Sequence, residues 1–107
     1  MVEASDVLFE VDTPLGFRVH ITRARWDLLV TIKHPIMVGR ELEVRATLET
    51  PDEVHRSQSD SAVFLFYRTL SLKRWVRAVV KRTALDGFLI TAYPTDAIKE
   101  GMRIWPK

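Results

Sequence analysis

His34, Arg68 and Thr91 are the residues of this 107-residue chain whose types best suit proton transfer and anion binding. Imidazole exchanges protons near neutral pH, so a histidine at a fixed position can act as general acid or base. His34 stands in Lys33-His34-Pro35, where the proline fixes its backbone direction. Its plainer role is that of a histidine binding a terminal helix carbonyl. Arg68 ends an aromatic run, and its planar fork matches a phosphate. Thr91 lies in Ile90-Thr91-Ala92-Tyr93; strand alternation puts it on one face with Leu89 and Tyr93. If Arg68 and Thr91 share a surface, they hold an anion between them. Otherwise Arg68 makes a salt bridge and Thr91 merely favours a strand.

Around these residues lies a basic stretch. Arg68, Lys73, Arg74, Arg77, Lys81 and Arg82 fall within fifteen positions that contain no acid. They form either one basic face or an ordinary solvated strand surface. Tyr67, Trp75, Tyr93 and Trp105 stand near basic residues and can stack nucleobases or simply fill a core. Arg77, Lys81, Tyr67 and Tyr93 are the nucleic-acid-contacting candidates.

Composition narrows the chemistry further. There is no cysteine, so disulfides, thiol catalysis and zinc–thiolate sites are excluded. His20, His34 and His55 have no metal-ligand spacing, and no metal site is expected. No glycine-rich phosphate loop or other cofactor signature occurs, so no cofactor is expected. The net charge of +2 does not by itself demand a nucleic-acid partner. No apolar run approaches the length of a membrane span, and the acidic N-terminus lacks the pattern of a secretory signal. Cytoplasm is the default compartment.

The elements that must position these groups follow from periodicity. Residues 7–12 and 17–21 suit two short strands around Thr13-Pro14-Leu15-Gly16, a turn sequence. Thr22 suits a helix cap, and residues 23–34 suit a helix with Trp26, Leu29 and Val30 on one face, ended by Pro35. A second helix is predicted over about residues 37–49, with Met37, Val44 and Leu48 on one side. Residues 62–69, 75–82 and 87–93 read as three strands of an antiparallel meander, and 54–57 as a short edge strand. The tail reads as one helical turn closed by Gly101. The expected fold class is α+β: two N-terminal helices, preceded by a short hairpin, packed on an antiparallel sheet of about four strands. Residues 1–107 read as a single domain.

The order of these features carries a resemblance. A tryptophan in the first helix is followed by His34-Pro35 and by a helix running into Thr47-Leu48-Glu49-Thr50-Pro51-Asp52-Glu53-Val54. Then come Ser57, the aromatic–arginine strand, a valine-rich strand and a closing run from Gly87 through Thr91-Ala92-Tyr93 to Ile98-Lys99-Glu100-Gly101. From about Thr22 to Trp105 the chain resembles phage and bacterial proteins of the barnase–EndoU–colicin–RelE-like nuclease superfamily. The resemblance implies metal-independent cleavage of RNA through attack of the 2′-hydroxyl, often in toxin settings with an inhibitor or antitoxin protein as partner. By position it implies His34, Arg68 and Thr91 as catalytic residues, with Lys81 as a further basic group. The chain departs from the pattern at Leu28, where many relatives have a second histidine, and at Ile36, where relatives often have glutamate. The alternative expectation is a catalytically inactive module of the same fold that binds nucleic acid or protein. Oligomeric state and RNA preference are open at this level.

Overall fold

The computed structural model describes residues 6–98 and 100–107. Residues 1–5, part of the acidic N-terminus, and Lys99 of the Ile98–Gly101 run lie outside them. Val7–Asp12 (β1) and Arg18–Thr22 (β2) form the expected hairpin. The Thr13 hydroxyl closes it by donating to the Phe17 carbonyl at 2.9 Å. Gly16 adopts a φ of +88°, which glycine reaches without the Cβ clash of other residues.

Thr22 caps α1 (Arg23–Leu28) by accepting from the Arg25 amide at 3.2 Å. The predicted helix over 23–34 stays α-helical only this far. Its continuation, Leu29–Lys33, is π-helical, and the His34 amide reaches back to the Leu29 carbonyl at 2.7 Å. Pro35 opens a 3-10 turn, Pro35–Met37. The second helix, α2 (Glu41–Glu49), begins later than its periodicity implied, because Gly39 takes a φ of +79° and breaks any earlier start.

Five more strands follow among the described residues: β3 (Glu53–Arg56), β4 (Val63–Ser71), β5 (Arg74–Arg82), β6 (Asp86–Thr95) and β7 (Met102–Trp105). The sheet order is β1-β2-β6-β5-β4-β3-β7. The expected antiparallel sheet of about four strands under two helices is therefore corrected: one seven-stranded mixed sheet dominates, and the two α-helices are short. Two segments cause the difference. The N-terminal hairpin is not a separate preface. It adds β2 in parallel to the outer side of β6, matching Val19 to Gly87. The tail is not a helical turn either. Gly101 has a φ of +75° under the Arg56 backbone and leads straight into β7, which pairs with β3.

One side of the sheet carries Val54, Phe64, Phe66, Val76, Ala78, Val80, Leu89 and Ala92, packed with Trp26, Met37, Val44 and Leu48 into one buried cluster. Alternation sends the intervening residues to the opposite side, and there the candidate chemistry collects. No helix among the described residues is long and apolar enough to cross a membrane.

Candidate functional site

Strand register builds a row of side chains across this second face. Glu53 on β3 lies opposite Tyr67 on β4, Tyr67 opposite Arg77 on β5, and Arg77 opposite Tyr93 on β6. Beyond the sheet His34 extends the row, its ring 4.7 Å from the Tyr93 ring and tilted 30° to it. A parallel row runs His55, Leu65, Val79, Thr91. Thr91 owes its side to an irregularity in the pairing. The register shifts between Val79 and Val80, leaving Ile90 unmatched. Leu89 therefore turns into the helix-side core, away from Thr91 and Tyr93, which corrects the face expected from plain alternation.

Arg77 is the centre of the site. Its guanidinium carbon lies 5.1 Å from the Tyr67 ring centroid and 5.3 Å from that of Tyr93. Nη1 donates to the Tyr93 hydroxyl at 2.6 Å, Nη2 donates to the Ala97 carbonyl at 3.4 Å, and the Glu100 carboxylate stands 3.7 Å from Nη1. Burial works against its charge, but the Tyr93 hydrogen bond and the two tyrosines together hold its pKa above the ordinary value. Burial also pushes the Tyr67 hydroxyl up, against the pull of Arg77, so Tyr67 stays protonated and able to donate. The guanidinium is close enough to act on that hydroxyl electrostatically without making a well-formed hydrogen bond to it.

Among the described residues, three buried polar atoms on this face meet no hydrogen-bond partner: Tyr67 Oη, Arg77 Nε and Thr91 Oγ1. All three can donate. An acceptor-rich anion such as a phosphate would satisfy several of them at once.

Of the sequence-predicted residues, His34, Tyr67, Arg77, Thr91 and Tyr93 gather on this face. Arg68 does not. It pairs with Val76, a core residue, so it points to the helix side near the end of β4, where it is exposed. Lys81 shares the face of Arg77 four residues along β5, but its ammonium is held 3.0 Å from Asp60. The basic stretch thus divides between both sides of the sheet and its turn.

His55 and Glu53 carry a role that the sequence reading missed. His55 is 7% exposed; Nδ1 lies 3.0 Å from the Glu100 carbonyl and Nε2 lies 2.9 Å from a Glu53 carboxylate oxygen. Its ring stands edge-on to Tyr67 at 5.2 Å. Both ring nitrogens are occupied, so His55 holds the chain near Gly101 and buttresses Tyr67. The available signal was Glu-Val-His at strand spacing, which places the two polar groups on one side.

Among the described residues no three histidine, aspartate or glutamate side chains gather as a metal site. No family model matches the chain, and neither a curated protein nor a solved structure matches it.

Proposed function

We propose that the face centred on Arg77 binds the phosphodiester of RNA and that the chain is a metal-independent endoribonuclease. The observation that carries this reading is that three buried polar atoms without a partner among the described residues, from Tyr67, Arg77 and Thr91, lie on the face where His34 stacks against Tyr93. RNA is favoured over DNA because its 2′-hydroxyl is an internal nucleophile that needs no bound metal.

In this mechanism His34 takes the proton from the 2′-hydroxyl as that oxygen attacks phosphorus. Arg77 replaces Arg68 as the cation that stabilises charge on the phosphorane, and Tyr67 and Thr91 donate to its non-bridging oxygens. As the phosphorus–oxygen bond to the 5′-oxygen breaks, the leaving oxygen takes a proton back from His34, directly or through water. The products are a 2′,3′-cyclic phosphate and a 5′-hydroxyl.

The test is incubation of the purified chain with total RNA in EDTA beside His34→Ala and Arg77→Ala. The parent cleaves, and each variant loses about a hundredfold or more. Equal cleavage by all three removes the site. One observation favours a second reading, a binding module without chemistry. His55 has both ring nitrogens engaged, His20 lies on β2 opposite Phe88, and Leu28 stands where the resembled family has a further histidine, which leaves His34 as the histidine beside Tyr93 to serve as both base and acid. Absence of cleavage, with RNA binding that Arg77→Ala abolishes, selects that reading.

A further inference from the structure

We propose that the outer edge of β7 and the pocket beside it form a docking site for an extended segment of a partner protein, apolar at alternate residues and acidic between them. The proposal is independent of RNA cleavage, because β7 lies three strands from β5, about 14 Å at ordinary strand spacing.

β7 closes one end of the sheet, with β3 on its inner side and, among the described residues, no strand beyond it. The backbone groups along such a rim can extend the ladder to an added strand. A cavity of about 280 Å³ opens alongside, lined by Arg56, Ser57, Gln58, Met102 and Ile104. The α2 helix packs mainly on β5, β4 and β1, and at this end Ile104 and Trp105 are only partly buried against the core. Met102, a large apolar residue, is 68% exposed.

Met102 and Ile104 line the same pocket, whereas Arg103, opposite His55, points to the other side; the register shifts after Arg103, so this alternation holds over residues 102–104. A strand added beyond β7 would set alternate side chains over the pocket and the intervening ones beside Arg103. The first set must be apolar. Charge decides the second. Arg56, Arg103 and Lys107 make no ion pair among the described residues, whereas the neighbouring acids Glu53 and Glu100 already face His55 and Arg77. The rim therefore presents uncompensated positive charge, which suits an acidic strand. It disfavours a second copy, because pairing β7 with another β7 sets cations against cations.

The probe is a fluorescent, end-blocked peptide of sequence Glu-Leu-Glu-Val-Glu-Leu-Glu, titrated by anisotropy. Two further peptides are N-methylated, one at the Glu positions and one at the Leu and Val positions. A fourth replaces each Glu by Lys. The expected result is saturable micromolar binding, fitting so short an interface. One N-methylated peptide loses tenfold or more while the other binds as the parent does, since only alternate amides face the ladder. The Lys peptide does not bind, and Arg103→Glu, an exposed change checked for folding by circular dichroism, weakens the acidic peptide about tenfold. The proposal is overturned if the acidic peptide fails to bind, if both N-methylated forms behave alike, or if the Lys peptide binds equally. Sedimentation that shows a dimer broken by Arg103→Glu also overturns it, in favour of a second copy.

Discussion

A buried hydroxyl without a partner costs about 1–3 kcal/mol, and among the described residues Tyr67 carries one in the middle of the sheet. The ring is fully enclosed and would keep its contacts with His55 and Arg77 if the oxygen were removed. Tyr67→Phe therefore keeps or raises Tm while RNA cleavage falls at least tenfold. Thermal unfolding and the EDTA cleavage assay measured on the same preparation check both halves. A variant that loses stability yet cleaves normally would make the hydroxyl structural. At this scale much of the candidate site was legible, because residue type alone marks His34, Thr91 and the two tyrosines as unusual among apolar neighbours. Parity separates Arg68 from the other candidates. Arg68 and Arg77 are equally basic, and only register shows that Arg77 faces Tyr67 while Arg68 faces Val76. His55 escaped because its importance lies in the Glu100 carbonyl, forty-five residues away, which no local spacing encodes.

At the scale of elements, the junction of β3 and β4 is tied by Asp52. Its amide donates to the Tyr67 carbonyl at 2.7 Å, and its carboxylate accepts from the Thr69 amide at 2.6 Å. Hydrogen bonds from the Thr69 hydroxyl and amide hold the Asp52 carboxyl below the ordinary carboxylate value. A pKa depressed in the folded state gives stability that is present above the unfolded value and lost as pH falls through the folded one. Asp52→Asn keeps an acceptor but removes the charge. Because the group is mostly solvated, the expected loss is only about 0.5–1 kcal/mol at neutral pH. The gap between parent and variant should close at about pH 2, and urea unfolding at both pH values measures it. A gap that persists in acid would assign the effect to shape instead of charge. The element reading shows the same division between local and distant causes. Thr22 as a cap, the β1–β2 hairpin and the three long strands follow from local pattern, and all appear. The parallel contact of β2 with β6 and the pairing of β7 with β3 join segments over forty residues apart, so no window of sequence contains them. Gly101 suits a helix end, which makes the tail look helical in sequence, whereas its positive φ here serves the entry to a strand.

For the whole molecule, the balance of charge limits how RNA can be held. The net charge is only +2, and several cations are already matched: Arg18 with Glu10 and Asp12, Arg40 with Glu43, Lys81 with Asp60. The basic stretch from Arg68 to Arg82 does not add up to one face, since Arg68 and Arg77 point to opposite sides of the sheet. Among the described residues, two cations stand beside the unpartnered donors and His34. They are Arg77 itself and Lys33, exposed and reaching the Ile90 carbonyl at 3.4 Å. Each phosphate neutralised on a single strand contributes about −0.7 to the slope of log affinity against log salt, so two contacts give a slope near −1.4. Affinity for a short single-stranded RNA should then fall about sevenfold for a fourfold rise in salt. Fluorescence anisotropy of a labelled oligonucleotide across a salt series checks this, with His34→Ala included to prevent cleavage during the measurement. A slope of about −4 or steeper would require about six or more phosphate contacts. The Arg77 face cannot supply so many, and RNA would then lie along the exposed arginines of the β4–β5 hairpin. A slope near −1.4 that falls by about half in Arg77→Ala would place one of the two neutralised phosphates at Arg77, the position where a 2′-hydroxyl can be brought to His34.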